Sequence, residues 1–233
     1  MTFVGLSRPL EDGMPGFRME EADGTITEYS ADIQPLFTHE ESRPKYDGQA
    51  AFEVTEIQFQ TSVGTYLDAP YHRYPDGRDI AALEIDELVL PGTVVDARGL
   101  APGEQLTEEA LPADTALAGK AVVFDFGWAK HWGTEQYRSY PFLSERVVER
   151  LVDADVALVG VDTINVDDQY NLARPAHSRL LDEEIFIVEN LRNLSRLPRS
   201  DFRFFAVPVR TAGAAAMPVR AFAELSEGGE QRR

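Results

Sequence analysis

The stretch from Ser144 to Val161 constrains the fold most tightly. Ser144 can cap a helix, Glu145 and Glu149 suit its early turns, and Val147, Val148 and Leu151 make one apolar face. Leu143 and Val148 stand at the spacing of a hydrophobic staple, so a helix is expected over 144–153. The apolar run Val156–Val161 follows after a short connection, giving a helix-to-strand unit. Thr93–Asp96, Ala121–Phe126, Ile185–Val188 and Phe204–Val209 are further apolar runs of strand length. Together they predict the α/β class.

The chain of 233 residues suits one large domain, read over residues 1–225 with a frayed tail at 226–233. Its 22 Lys and Arg stand against 40 Asp and Glu, a formal charge of −18 that disfavours nucleic acid and anionic membranes as partners. No cysteine is present, which excludes disulfides, thiolate metal sites and thiol nucleophiles. No apolar stretch approaches a membrane span and the first residues lack the form of a signal peptide, so a cytoplasmic protein is expected. Residues 20–48 are polar without a sustained period, and read as a long excursion serving as lid, arm or oligomer contact. Phe52–Gln60 alternates with one change of phase and predicts a half-buried strand with a bulge or a bend.

That strand leads into Thr61-Ser62-Val63-Gly64-Thr65-Tyr66-Leu67-Asp68-Ala69-Pro70-Tyr71-His72. An acid and an imidazole four residues apart around a proline cannot sit on a regular helix; a strand-to-loop exit would present both at one place. Of the four histidines, His39 has acidic neighbours and reads as solvated, and His131 between Lys130 and Trp132 reads as packing or solvent.

The segment resembles the signature of the metal-dependent cyclase and kynurenine formamidase family, His-x-Gly-Thr-His-x-Asp-x-Pro-x-His. Gly64, Thr65, Asp68, Pro70 and His72 match it, while Ser62 and Tyr66 stand where that family has its first and second His. The likeness continues in separated blocks. Leu6–Pro15 is similar to the family's opening, in which Phe17 would line the substrate pocket; core packing is the alternative for Phe17. Val161-Asp162-Thr163 is similar to another block, although Ile164-Asn165-Val166-Asp167 departs from its usual continuation. His177 and Glu189 stand twelve residues apart, as the family's ligating pair does.

The resemblance implies a swivelling β/β/α domain with a mixed sheet, its site in a cleft at loop ends, and a homo-oligomer, dimer or tetramer. It also implies a small-molecule substrate. In that family the first two signature His and the Asp bind one ion; the Asp, the later His and the Glu bind another. Transferred here, the first set has lost both imidazoles, and a hydroxyl is a far weaker ligand for Zn²⁺ than an imidazole nitrogen. Asp68, His177 and Glu189 would hold one divalent ion, Zn²⁺ or Mn²⁺, with His72 as acid and base and with Ser62 and Tyr66 toward the substrate. The reaction most implied is hydrolysis of an amide or cyclic amide. Two other readings stay open: a metal-free cyclase or dehydratase-type lyase using Tyr66, His72 and His177, with Tyr66 as oxyanion donor, and a non-catalytic small-molecule binding protein.

Overall fold

The computed structural model describes residues 2–20 and 23–226. The tail expected at 226–233 therefore lies, from Glu227 on, outside the described residues. The contacts of the chain group into two compact units, Met1–Arg8 with Thr65–Arg233, and Pro9–Gly64.

In the larger unit, among the described residues, nine strands form one mixed sheet. Its centre is parallel: Val89–Asp96, Ala121–Asp125, Leu158–Val161 and Phe186–Glu189 lie side by side in that order. On one flank Phe202–Phe205, Phe222–Leu225 and Thr2–Gly5 continue it antiparallel; on the other, Tyr66–Asp68 and Ala216–Pro218 do. The mixed-sheet α/β expectation is met. The parallel strands are apolar without alternation because both faces are covered. Ala121, Val123, Leu158 and Val188 face one buried cluster; Val122, Phe124, Val159, Val161 and Ile187 face the other.

Helices cover that second face. Glu145–Asp153 starts at Ser144, whose hydroxyl accepts from the Val147 N–H at 3.3 Å, and it buries Val147, Val148 and Leu151 as its spacing dictates. A second helix, Pro175–Asp182, buries Ala176, His177, Leu180 and Leu181. His177 is thus one residue of an apolar stripe turned toward the sheet.

The smaller unit is two antiparallel hairpins, Pro15–Glu20 with Ile26–Ser30 and Asp32–Phe37 with Val54–Gln58. The polar excursion expected over 20–48 therefore carries two strands, Ile26–Ser30 and Asp32–Phe37, followed by the helical turns His39–Ser42 and Arg43–Tyr46. Every residue of Val54–Gln58 is exposed, which corrects the half-buried expectation, and the register irregularity falls on its partner between Pro35 and Phe37. Ile26–Ser30 and Asp32–Phe37 pair through their backbones without a buried face of their own, so no burial period marks them. Between Asp32–Phe37 and Val54–Gln58, Thr38 and Glu41 form a reciprocal capping box for the short His39–Ser42 helix.

Candidate metal centre

Strand register builds the centre. Tyr66 lies directly opposite Glu189, and Asp68 opposite Ile187, so the period of two puts Tyr66, Asp68 and Glu189 on the helix-covered face and Leu67 on the other. Thr65 locks this pairing: its hydroxyl donates to the Asn190 carbonyl at 2.8 Å and accepts from the Arg8 N–H at 3.1 Å. Pro70 then ends the strand in a single 3-10 turn, Pro70–His72, which swings His72 back beside Asp68. Two bonds tie this turn to the helix carrying His177: Arg73 donates to the Ser178 hydroxyl at 2.9 Å, and the Tyr74 hydroxyl donates to the Ser178 carbonyl at 2.7 Å.

His177 Nε2 stands 3.8 Å from Asp68 Oδ2 and 3.5 Å from Glu189 Oε1. His72 Nδ1 is 3.7 Å from Asp68 Oδ1, and the two imidazole centroids are 5.6 Å apart. Residues separated by more than a hundred positions thus converge as their family spacing implied. Both Asp68 oxygens are buried without a hydrogen-bond partner. Burial alone pushes its carboxyl up to about 8. Burial likewise raises Glu189, with Asp68 adding to the shift, while His177, the Tyr66 hydroxyl and the Val166 N–H oppose it. His72 keeps 36% of its side chain accessible, yet desolvation first, then His177 and Arg73, lower it to about 4.

These groups fit a divalent cation. Among the described residues they are the one set of three such side chains whose ligand atoms lie within 4.8 Å of one another. The N···O spacings are too long for hydrogen bonds and close to the ~3.3 Å expected between ligands of a tetrahedron with bonds of about 2.0–2.1 Å. A buried carboxylate with both oxygens bare is costly unless paired or metal-bound. Tyr66 does not restore a second ligand set, since its hydroxyl is bonded to Glu189.

Tyr66 differs from its expected target. Its hydroxyl donates to Glu189 Oε2 rather than to Asp68 or outward, because the antiparallel register faces it with Glu189. Burial, then Glu189 and Asp68, hold its pKa well above the ordinary phenol value, so it remains a donor. Phe17, on the Pro15–Glu20 strand of the smaller unit, is 50% exposed and so is not a core residue; Ser62 occupies a half-buried bend of that unit. His39 is exposed with Glu53 at 3.3 Å, and His131 packs on Trp128 with centroids 4.7 Å apart, in line with the roles expected of them. Sequence reasoning passed over Asp167, which is 1% exposed and contacts the His177 ring at 2.7 Å.

Residues 4–168 match the cyclase family. Kynurenine formamidase of Delftia acidovorans is 29% identical over 168 residues, 72% of this chain and 78% of the relative. Isatin hydrolase A from Ralstonia solanacearum superposes with a TM-score of 0.83 at 23% identity, over 97% of this chain and 92% of that one. A predicted metal-dependent hydrolase from Bacillus stearothermophilus superposes at 0.72 with 20% identity, over 95% and 97% of the two chains.

Proposed function

Because the chain belongs to the cyclase family, we propose that it is a hydrolase of a small amide or cyclic amide, using one divalent cation and His72. The observation that carries this reading is the convergence of His177 and Glu189 on the bare, buried carboxylate oxygens of Asp68. The kynurenine formamidase relatives, enzymes that hydrolyse an amide, support the reaction class.

Asp68, Glu189 and His177 Nε2 would hold the cation, Zn²⁺ or Mn²⁺. When bound, it supplies a Lewis acid that polarises the amide carbonyl and acidifies water. His72, held neutral by its lowered pKa, accepts the proton of the attacking water at Nδ1, the nitrogen turned toward Asp68. As the C–N bond breaks, the same imidazole returns that proton to the departing nitrogen, so the products are a carboxylic acid and an amine. The Ser178 clamp keeps His72 beside His177 through this exchange. Tyr66 holds Glu189 in place and is committed there. The metal-free lyase asked that same hydroxyl to serve the substrate, so the cation reading is favoured.

Homo-oligomeric assembly and a cytoplasmic setting belong to the same proposal. Exposed Ile26, Leu36, Val54 and Ile57 on the hairpins of the smaller unit support assembly. Among the described residues no helix is long and apolar enough to cross a membrane.

Metal content after purification and hydrolysis of a panel of aryl formamides and cyclic amides, with and without chelator, test the proposal. One equivalent of cation per chain is expected, with activity lost to chelator and restored by Zn²⁺ or Mn²⁺. His72→Ala should lower turnover by about 10²–10⁴-fold while still taking up the cation. Turnover indifferent to chelator would overturn the cation's role, and ligand binding without turnover would make this a binding protein.

A further inference from the structure

One side chain outside the ligand set governs how His177 meets its neighbours. The helix Pro175–Asp182 begins without the usual cap. Arg174, at φ 49°, makes no side-chain capping bond, and Pro175 has no N–H to satisfy. The first free backbone donors are therefore those of Ala176 and His177. Asp167 reaches them from the preceding loop: its Oδ1 accepts from the Ala176 N–H at 2.6 Å and its Oδ2 from the His177 N–H at 3.0 Å. The same Oδ2 lies 2.7 Å from His177 Nδ1. The backbone of Asp167 is itself pinned, since its N–H donates to the Asn165 side chain at 2.8 Å and the Thr163 hydroxyl donates to the Asn165 carbonyl at 2.8 Å.

We propose that Asp167 is a positioning residue that holds His177 in the tautomer with its proton on Nδ1 and a bare Nε2 aimed at Asp68 and Glu189. A carboxylate whose oxygens already receive two backbone N–H groups can only accept, so Nδ1 must be the donor. A neutral imidazole protonated at Nδ1 keeps its lone pair on Nε2, the atom a cation requires. The carboxylate neighbours of Nε2 stand at 3.5 and 3.8 Å, beyond hydrogen-bond length, so neither fixes a proton there. Because ring and backbone of His177 bind one oxygen, the start of the helix and the plane of the imidazole form a single rigid unit. Asp167 touches neither cation nor substrate and acts through His177. Its effect on cation affinity rests on the metal-hydrolase reading above; the tautomer does not.

The test is the ¹⁵N spectrum of the imidazoles in chelated, labelled protein at pH 8, with His177 assigned by its loss in His177→Gln. A protonated Nδ1 and bare Nε2 are expected in the wild type. In Asp167→Asn the Nε2–H form should grow in, and the Zn²⁺ dissociation constant should rise by about 10–100-fold. An Nε2–H tautomer in the wild type would overturn the assignment, as would an Asp167→Asn variant with unchanged tautomer and affinity. If that variant does not fold, the wild-type spectrum alone decides. A wild type with the expected tautomer that takes up neither Zn²⁺ nor Mn²⁺ would overturn the metal reading and leave Asp167 its role.

Discussion

Asp68→Asn changes one charge where two carboxylate oxygens lie buried and unpartnered, and its consequence depends on pH. In the cation-free chain burial pushes the Asp68 carboxyl up to about 8, against an unfolded value near ~3.9. Unfolded chain releases this proton near pH 4, whereas folded chain keeps it to about pH 8. Between those limits the unfolded state binds fewer protons, so stability is full below pH 4 and falls as pH rises. Each pH unit of that window is worth about 1.4 kcal/mol, or about 3 kcal/mol from pH 5 to 7. For a chain of this size that lowers the melting temperature by roughly 5–10 °C. The amide of the variant does not titrate, so the substitution removes this share of the slope. Burying that amide still costs about 1–3 kcal/mol at every pH, so slopes decide and levels do not. Glu189 titrates in both proteins and leaves a residual slope in the variant. Thermal melts in chelator from pH 5 to 8 make the comparison. Cation at about a hundred times its Kd should then return about 2.7 kcal/mol to the wild type and little to the variant. Parallel slopes in chelator would refute the claim that Asp68 is a buried, uncompensated acid awaiting a cation.

Tyr66→Phe should keep the fold and cost about 1–2 kcal/mol in melting or in cation or substrate affinity, since Glu189 loses its phenol donor; silence in all three measurements would make the ring mere filler. Restoring imidazoles at both signature positions, Ser62→His with Tyr66→His, should raise the cation stoichiometry from one toward two by elemental analysis. A count that stays at one would mean that the surrounding pocket has diverged as well.

The chemistry of the centre was more legible than its wiring. Asp68 and His72 could be paired on sight because Pro70 leaves them no regular helix, and the spacing of His177 to Glu189 carried the rest. Where the Tyr66 hydroxyl points was not legible: it depends on the register between Tyr66–Asp68 and Phe186–Glu189, which sequence does not encode locally. Asp167 was overlooked because a carboxylate capping a helix nine and ten residues away leaves no short-range pattern. The parallel strands declared themselves through apolar runs covered on both faces. Of the exposed strands between Pro15 and Gln58, Val54–Gln58 showed itself through the alternation of Phe52–Gln60, whereas Ile26–Ser30 and Asp32–Phe37 did not, because a strand without a buried face needs no alternation.

The face-to-face placement of Tyr66 and Glu189 also bears on how such a centre can change over generations. A histidine codon becomes a tyrosine codon by one base substitution, whereas histidine to serine takes at least two. At position 66 the newcomer finds a buried carboxylate directly across the strand and supplies it with a donor, so the exchange leaves no bare charge behind. Imidazole and phenol at this position therefore stand a single base change apart in either direction, while Asp68, His177 and Glu189 stay as they are.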